Sequence, residues 1–374
     1  MAAEKHRILC IGTLPPPIHG SAVVSQQIKD SIIINESFDC DWINLGTSRT
    51  MDEIGKNNPV KIFRLFFALL KEFWYLLTKQ YNLCYLAITC HGSGFLKDSP
   101  FVLMCKLFRK KIIIHQHNKG MANDLERWPY RWLLPLCYSN SKVILLSWYL
   151  YPDIEKLVKK DDVYICPNGI SIQELKNLRV QSNNNNNKTP KLLFLSNLIK
   201  SKGVLVLLDA LKILKEQGVT FICDFVGGES KDIDSKRFLE EVEERGLNDM
   251  AFYHGKKFGD EKDSFFNQAD LFVFPTQNDC FPLVLLEAMS FHLPIVTTDI
   301  GGIPDIVEDG MTGVIIKKQQ KDCIEEKLAA IIKTLIENPV LREQMGENGW
   351  QRLNNLYTTG IFERQLLSIL NSVV

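Results

Sequence analysis

Short runs rich in isoleucine, leucine and valine recur through the first half of the chain, at 7–12, 40–45, 83–88, 111–115, 143–146 and 163–166. Longer stretches with helical spacing lie between them, for example 21–32, 61–79 and 100–110. Runs that are apolar throughout, rather than alternating, belong to strands covered on both faces, so the pattern predicts a parallel sheet flanked by helices. The pattern breaks at 181–190, where five consecutive asparagines sit among serine, lysine, threonine and proline. Such a tract cannot build a core and predicts a flexible linker. Alternation then restarts, with strands at 191–195, 220–226, 250–253, 271–274 and 294–298 and helices at 203–217 and 236–244. The tail from 325 to 374 reads as helical, with breaks at Asn338-Pro339 and Thr359-Gly360. The expectation is α/β throughout: two doubly wound domains, roughly 1–170 and 171–360, whose ligands bind beyond the carboxyl ends of the strands. Two such sheets facing each other would leave a cleft between domains.

One segment of the second half carries more chemistry than the rest. In LFVFPTQNDCFPLVLLEAMSFHLPIVTTDIGGIPDIVEDGMTG (271–313), a strand leads through a loop to a helix opening at Phe281-Pro282. A second strand and a glycine turn at Gly301-Gly302 follow. Proline suits the first turn of a helix, where its missing N–H costs nothing. The bare amides of that turn, with the positive end of the helix dipole, form a socket for an anion such as a diphosphate. Glu287 lies one to two turns further in, where a carboxylate can accept both hydroxyls of a ribose. It also interrupts an apolar string, where an ionised group is costly unless something binds it. Asp279 and Glu287, with seven residues between them, read as substrate clamps or as an acid/base pair. The plainer alternatives are a loop cap for Asp279 and a buried ion pair for Glu287.

Other positions add to this. Gly20, in the loop between the first strand and the next helix, allows close backbone approach to a phosphate; alternatively the loop is ordinary and Ser21 is its helix cap. His115 and His117 end a strand, where a ligand hydroxyl or phosphate would sit, or they are partly solvated loop residues. Lys202, before Gly203 at a helix start, opposes the helix dipole, which makes sense where an anion binds. In the helix 61–79, Lys61, Arg64, Lys71 and Lys79 share a narrow stripe and the remaining circumference is aliphatic and aromatic. Residues 61–142 hold 13 Lys+Arg against 4 Asp+Glu. The helix therefore reads either as a surface resting on anionic lipid or as a packing helix with a solvated stripe.

Overall charge is zero, yet residues 1–170 carry 21 basic against 15 acidic side chains, so the first half is at +6 and the rest at −6. Ten cysteines without a C-x-x-C pair read as reduced, mostly buried thiols of a cytosolic protein, and no metal-ligand cluster is visible. The N-terminus lacks a signal peptide's apolar core, and no run approaches the roughly 18–20 residues that span a bilayer. No G-x-G-x-x-G follows a strand, which argues against a dinucleotide oxidoreductase. Neither a P-loop nor a G-x-S-x-G elbow is present.

Several blocks, in order, resemble the retaining glycosyltransferases of family 4, of the GT-B fold. They are Pro167-Asn168-Gly169-Ile170, Lys202-Gly203, Phe225-Val226-Gly227, Phe281-Pro282-Leu283-Val284-Leu285-Leu286-Glu287, Gly301-Gly302-Ile303-Pro304 and Asp309-Gly310-Met311-Thr312-Gly313. The resemblance implies transfer of a sugar from a nucleotide-diphospho-sugar, with UDP- and GDP-sugars the expected donors, and with no cofactor or obligatory metal. It implies a glycan or lipid-linked acceptor in surface polysaccharide or glycolipid synthesis, no nucleic-acid partner, and a cytoplasmic, membrane-peripheral location. By similarity Glu287 holds the ribose, and Lys202 with the backbone of Phe281, Pro282, Leu283 and Val284 holds the diphosphate. Gly20 approaches the same phosphates, and His117 (with His115 as alternative) reaches the sugar. The helix 361–374 would return to the N-terminal domain. Two departures stand out. Asp279 replaces the family's glutamate, one methylene longer, and Asn197 stands where an arginine is common. Asn197 would then meet the donor by a neutral hydrogen bond, or Lys200 would supply the charge. Competing readings are a sugar-nucleotide epimerase on the same fold and a non-catalytic nucleotide-sugar-binding subunit.

Overall fold

The computed structural model describes residues 5–16, 20–47, 59–171, 189–317 and 323–374. Most of the asparagine tract, 181–188, lies outside the described residues, as do Pro17, Ile18 and His19. The chain divides into two compact units, Met1–Asn168 with Thr359–Val374, and Gly169–Thr358.

The first unit is built on six parallel strands: β1 (His6–Gly12), β2 (Phe38–Asn44), β3 (Leu83–Ala87), β4 (Ile112–Gln116), β5 (Lys142–Leu145) and β6 (Val163–Ile165), in the order β2-β1-β3-β4-β5-β6. Ile8, Leu9, Ile11, Leu83, Leu86, Ile113 and Ile114 are fully buried, as expected of strands covered on both faces. The helical stretch expected over 21–32 ends at Asp30: α1 (Gly20–Asp30) gives way to α2 (Ile32–Ser37), with the Ser31 hydroxyl accepting from the Ile34 amide at 3.4 Å. After α3 (Pro59–Thr78), α4 (Gly92–Leu107) starts eight residues before the expected position and carries Pro100 in its interior. The carbonyl of Leu96, which the proline cannot serve, accepts from the Ser99 hydroxyl at 3.2 Å. The helix α5 (Tyr130–Tyr138) completes this part of the unit.

The second unit repeats the plan with β7 (Lys191–Leu195), β8 (Ile222–Val226), β9 (Ala251–Tyr253), β10 (Leu271–Phe274), β11 (Ile295–Thr298) and β12 (Gly313–Ile316), ordered β12-β11-β10-β7-β8-β9 and all parallel. Its helices are α6 (Val204–Glu216), α7 (Ser235–Glu244), α8 (Gly259–Gln268), α9 (Leu283–Ser290), α10 (Ile303–Ile306), α11 (Ile324–Glu337) and α12 (Pro339–Leu356). The last helix, α13 (Thr359–Val373), packs on the first unit. There Phe362 stacks against His115 with ring centroids 6.4 Å apart, and Gln365 Nε2 donates to the Ile165 carbonyl at 2.8 Å.

The helix α3 departs from the second expectation for it, a packing helix with a solvated stripe. Two of its cations reach back to the protein, Arg64 Nη1 donating to the Thr47 carbonyl at 2.6 Å and Lys71 Nζ to the Trp42 carbonyl at 3.1 Å, and Lys79, just past the helix, pairs with Asp41 at 2.8 Å. The apolar side faces out, with Phe63 64% and Trp74 60% exposed, while only Glu72 and Leu76 are buried. A buried packing helix does not describe it. The charged stripe seeks the carbonyls and the carboxylate beside β2, since a cation turned toward the protein costs little once it is hydrogen-bonded.

Burial drives the Glu72 carboxyl up to about 8, opposed by the Cys105 thiol that donates to it at 3.2 Å. Glu72 is therefore protonated in the folded protein at neutral pH, whereas in the unfolded chain it ionises near its ordinary 4.5. Between those values the unfolded chain holds fewer protons, so stability falls as pH rises from 4.5 to 8. The substitution Glu72→Gln should gain stability over the parent as pH rises, by on the order of 1 kcal/mol per pH unit across that window. Urea denaturation at pH 5 and pH 8 checks this: an equal difference at both would show that the carboxyl does not titrate as described.

Candidate functional site

In the second unit the predicted residues gather at the carboxyl ends of β7, β8, β10 and β11. Beyond β7, a short 3-10 turn (Lys200–Lys202) leads to Gly203, whose φ of +87° belongs to the left-handed region. A Cβ there would lie 2.1 Å from the Pro275 carbonyl oxygen, so only glycine allows this turn to close on the loop after β10. The Gln277 amide donates to the Ser201 carbonyl at 2.7 Å and ties the two loops together. Lys202 thus ends its own turn, just before the helix, with Nζ 2.6 Å from Asp279 Oδ2 and 3.2 Å from the Asn278 carbonyl. Both side chains are largely covered, at 24% and 14% exposure.

The helix α9 begins at Leu283 with Pro282 as its cap residue, extended at ψ 114° and one position before the expected one. No side chain caps this end. Phe281 is buried, its ring edge-on to Tyr357 at 5.9 Å. From below, the turn at Gly301 (φ +59°) presses on the loop, where a Cβ would meet the Asp279 carbonyl at 2.4 Å. The Gly302 amide donates to the Cys280 carbonyl at 2.7 Å. Along α9 the three positions that are not buried are Leu283, Val284 and Glu287. The accessible face of the helix is therefore its bare first turn plus one carboxylate a turn further on. Glu287 Oε1 pairs with Lys262 Nζ of α8 at 3.0 Å, both about a quarter exposed (29% and 26%).

Lys262 was not among the expected site residues. It sits in the first turn of α8, where a cation opposes the dipole, so the reasoning that singled out Lys202 applies to it equally. Asn197 has a structural task. Its Oδ1 accepts the Gly228 amide at 3.0 Å, and Leu198 N donates to the Gly228 carbonyl at 2.8 Å, stitching together the loops after β7 and β8. Lys200 is exposed on the neighbouring turn.

In the first unit, His117 is the first residue past β4. Asp153 holds the following loop, accepting the amides of Gly120, Met121 and Ala122 at 2.9, 3.1 and 3.0 Å. His115 is fully buried, its Nδ1 2.7 Å from the Tyr85 hydroxyl, and its ring lies 4.1 Å from that of His117. Both ring nitrogens of His117 are buried without a hydrogen-bond partner among the described residues. Burial holds its pKa down at about 4, so the ring is neutral at pH 7, able to donate from one nitrogen and accept at the other. Burial, with His117 beside it, also pushes His115 well below its ordinary value. Gly20 is the first residue of α1, so Ser21 lies inside the helix and is not its cap; a Cβ on Gly20 would meet open space. Among the described residues, no group of histidine, cysteine, aspartate or glutamate has the arrangement of a metal site.

Two all-parallel six-stranded sheets, each flanked by helices, define a GT-B fold. Residues 176–352 match the family described as glycosyl transferases group 1. It is similar to the capsular polysaccharide biosynthesis glycosyltransferase CapM of Staphylococcus aureus, 29% identical over 48% of this chain and 45% of that one. It also resembles a 41.2 kDa protein in the cps region of Klebsiella pneumoniae, 23% identical over 64% and 67%. The chain spans about half the length of the first curated relatives it matches, 45% and 54%. In fold it matches the sucrose-phosphate synthase of Thermosynechococcus elongatus (TM-score 0.75, 18% identity, 98% and 99% coverage). A second match is Anabaena HepE in complex with UDP (TM-score 0.74, 15% identity, 98% and 100% coverage).

The His117 ring predicts a pH dependence opposite to that of Glu72. The unfolded chain takes up this proton near 6.5 and the folded protein only near 4, so stability falls as pH drops through that window. Changing His117 to Gln should flatten the acid limb of a denaturation series between pH 7 and pH 4.5. An unaltered limb would place the lost protons elsewhere.

Proposed function

We propose that the protein is a retaining glycosyltransferase that moves a sugar from a nucleoside-diphospho-sugar to a glycan or lipid-linked acceptor, in the synthesis of a surface polysaccharide or glycolipid. The observation that carries this reading is the accessible face of α9, where an uncapped helix start and Glu287 stand one turn apart. A diphosphate at the amides of Leu283 and Val284 leaves its ribose within reach of Glu287, whose carboxylate accepts both hydroxyls. Lys202, oriented by Asp279 at 2.6 Å, supplies a cation to the same phosphates. In the first unit, Gly20 offers backbone without a side chain and His117 two unpartnered ring nitrogens.

In the reaction, the bond between the anomeric carbon and the diphosphate oxygen breaks through an oxocarbenium-like state as negative charge grows on the leaving group. Fixed amides and a lysine stabilise that charge without reorganising. No side chain in the described site stands out as a covalent nucleophile. Same-face attack by the acceptor oxygen, whose proton passes to the departing phosphate, conserves configuration. The domain roles follow: donor binding in the second unit, acceptor binding in the first. The relatives CapM and the Klebsiella cps-region protein fit a polysaccharide setting, and the HepE complex fits a UDP-sugar donor. A lipid-linked acceptor fits a peripheral position at the cytoplasmic face of a membrane.

A thermal-shift series with UDP-, GDP-, ADP- and dTDP-sugars should show a selective rise in Tm, since a ligand of the folded state alone stabilises it. Replacing Glu287 with Ala should weaken that donor by roughly 1.5–3 kcal/mol, the size of a hydrogen bond to a charged group. No rise with any of the four would remove the reading. In a second experiment, Gly20→Ala should leave Tm unchanged, because its Cβ meets open space, yet lower donor turnover about tenfold, on the order of 1.4 kcal/mol. Full activity in that variant would separate Gly20 from the site.

A further inference from the structure

The helix α3 has two faces with different surroundings. Its inner face, held by Arg64, Lys71 and Lys79, lines a cavity of about 520 Å³ at the carboxyl ends of β1 and β2. Arg64, Leu65 and Ala68 contribute from the helix, and Pro16, Asn44 and Thr47 from the strand ends. Its outer face presents Phe63, Phe66, Phe67, Leu70, Phe73 and Trp74, all between 44% and 64% exposed. They recur at three- and four-residue spacing and so form one continuous apolar side. Exposed apolar surface on this scale marks an interaction site.

We propose that this face lies in the interfacial layer of an anionic membrane, with the helix axis in the membrane plane, so that the cavity behind it receives the head group of a lipid-linked acceptor. The cavity's role rests on the transferase reading above; the docking does not. The polar contacts that draw Arg64 and Lys71 of α3, and Lys79 just beyond it, toward the protein set the apolar side outward, so the orientation is specified and not incidental. Its rim is cationic. Phe73 meets Phe108 with ring centroids 5.8 Å apart, and the chain continues past Phe108 into Arg109 and Lys110, with Leu107 77% exposed. Apolar side chains flanked by arginine and lysine match the acyl boundary and the anionic head groups of a bilayer. A second copy of the chain fits less well, since a two-fold contact would bring this rim against itself. Among the described residues no helix is long and apolar enough to cross a membrane.

Vesicle sedimentation tests this with the full chain, on vesicles of phosphatidylcholine alone and of phosphatidylcholine with phosphatidylglycerol. The triple variant Phe63→Ser, Phe67→Ser, Trp74→Ser should lose partitioning about tenfold or more on both compositions. The variant Arg109→Glu, Lys110→Glu should lose it only on the anionic one. Each of these residues is exposed or at the rim, so both variants should keep the parent Tm and the donor-induced shift. Failure of the parent to sediment with anionic vesicles would overturn the proposal, and so would sedimentation that the triple variant leaves unchanged. A concentration-dependent dimer that the triple variant disperses, without vesicle binding, would assign the face to a second copy. Donor-induced shift reads the transferase proposal separately. Vesicle binding with the expected variant pattern but no donor shift would leave the docking standing and remove the proposed reaction.

Discussion

The uncapped start of α9 is the constraint on which the second unit's site depends. Bare amides at a helix end are costly when covered and useful when a ligand serves them. Everything around them keeps them bare and in place. Pro282 has no N–H of its own to satisfy, Phe281 is anchored under Tyr357, and Gly301 lets a neighbouring turn press to within van der Waals reach of the loop. Gly203 does the same from the other side against Pro275. Two left-handed glycines therefore bring three loops close enough for Lys202 to reach Asp279 across 77 residues of sequence.

The first unit solves a different problem. Its loop after β4 is held by a single carboxylate, Asp153, accepting three consecutive amides, which leaves the neighbouring histidine free of any such duty. A buried imidazole with no partner is an expense that packing alone does not explain. The same unit turns α3 apolar side out, and the cations that a sequence reading places at a surface are the groups that hold the helix in that orientation.

Much of this was legible in the sequence. Near-continuous apolar runs marked eleven of the twelve strands, because strands buried on both faces leave little room for polar residues. The strand β12 was missed: it is four residues long and follows a glycine-rich turn, too short to register as a run. The onset of α4 was misplaced because Pro100 reads as a helix start, and only the Ser99 hydroxyl at the orphaned carbonyl shows how the helix runs through it. Glu287 stands out in the sequence by breaking an apolar string and Lys202 by opposing a dipole; in the structure each is in an ion pair, with Lys262 and Asp279 respectively. Lys262 carries the same mark as Lys202, a cation in a helix's first turn, whereas Asp153 left none, since its role depends on a loop brought to it by the fold. The direction of α3 was illegible for a similar reason. Spacing gives the stripe, but which side faces the protein depends on carbonyls at Trp42 and Thr47 that are distant in sequence.

The most direct measurement is a thermodynamic cycle on the nucleoside diphosphate that the protein selects. Its affinity and that of its 2′,3′-dideoxy analogue are compared by calorimetry for the parent and for Glu287→Ala. A carboxylate gripping the ribose requires that the analogue bind more weakly to the parent and that the difference vanish in the variant. An equal loss in both proteins, or none in either, would contradict a ribose held by Glu287 beside the bare amides of α9.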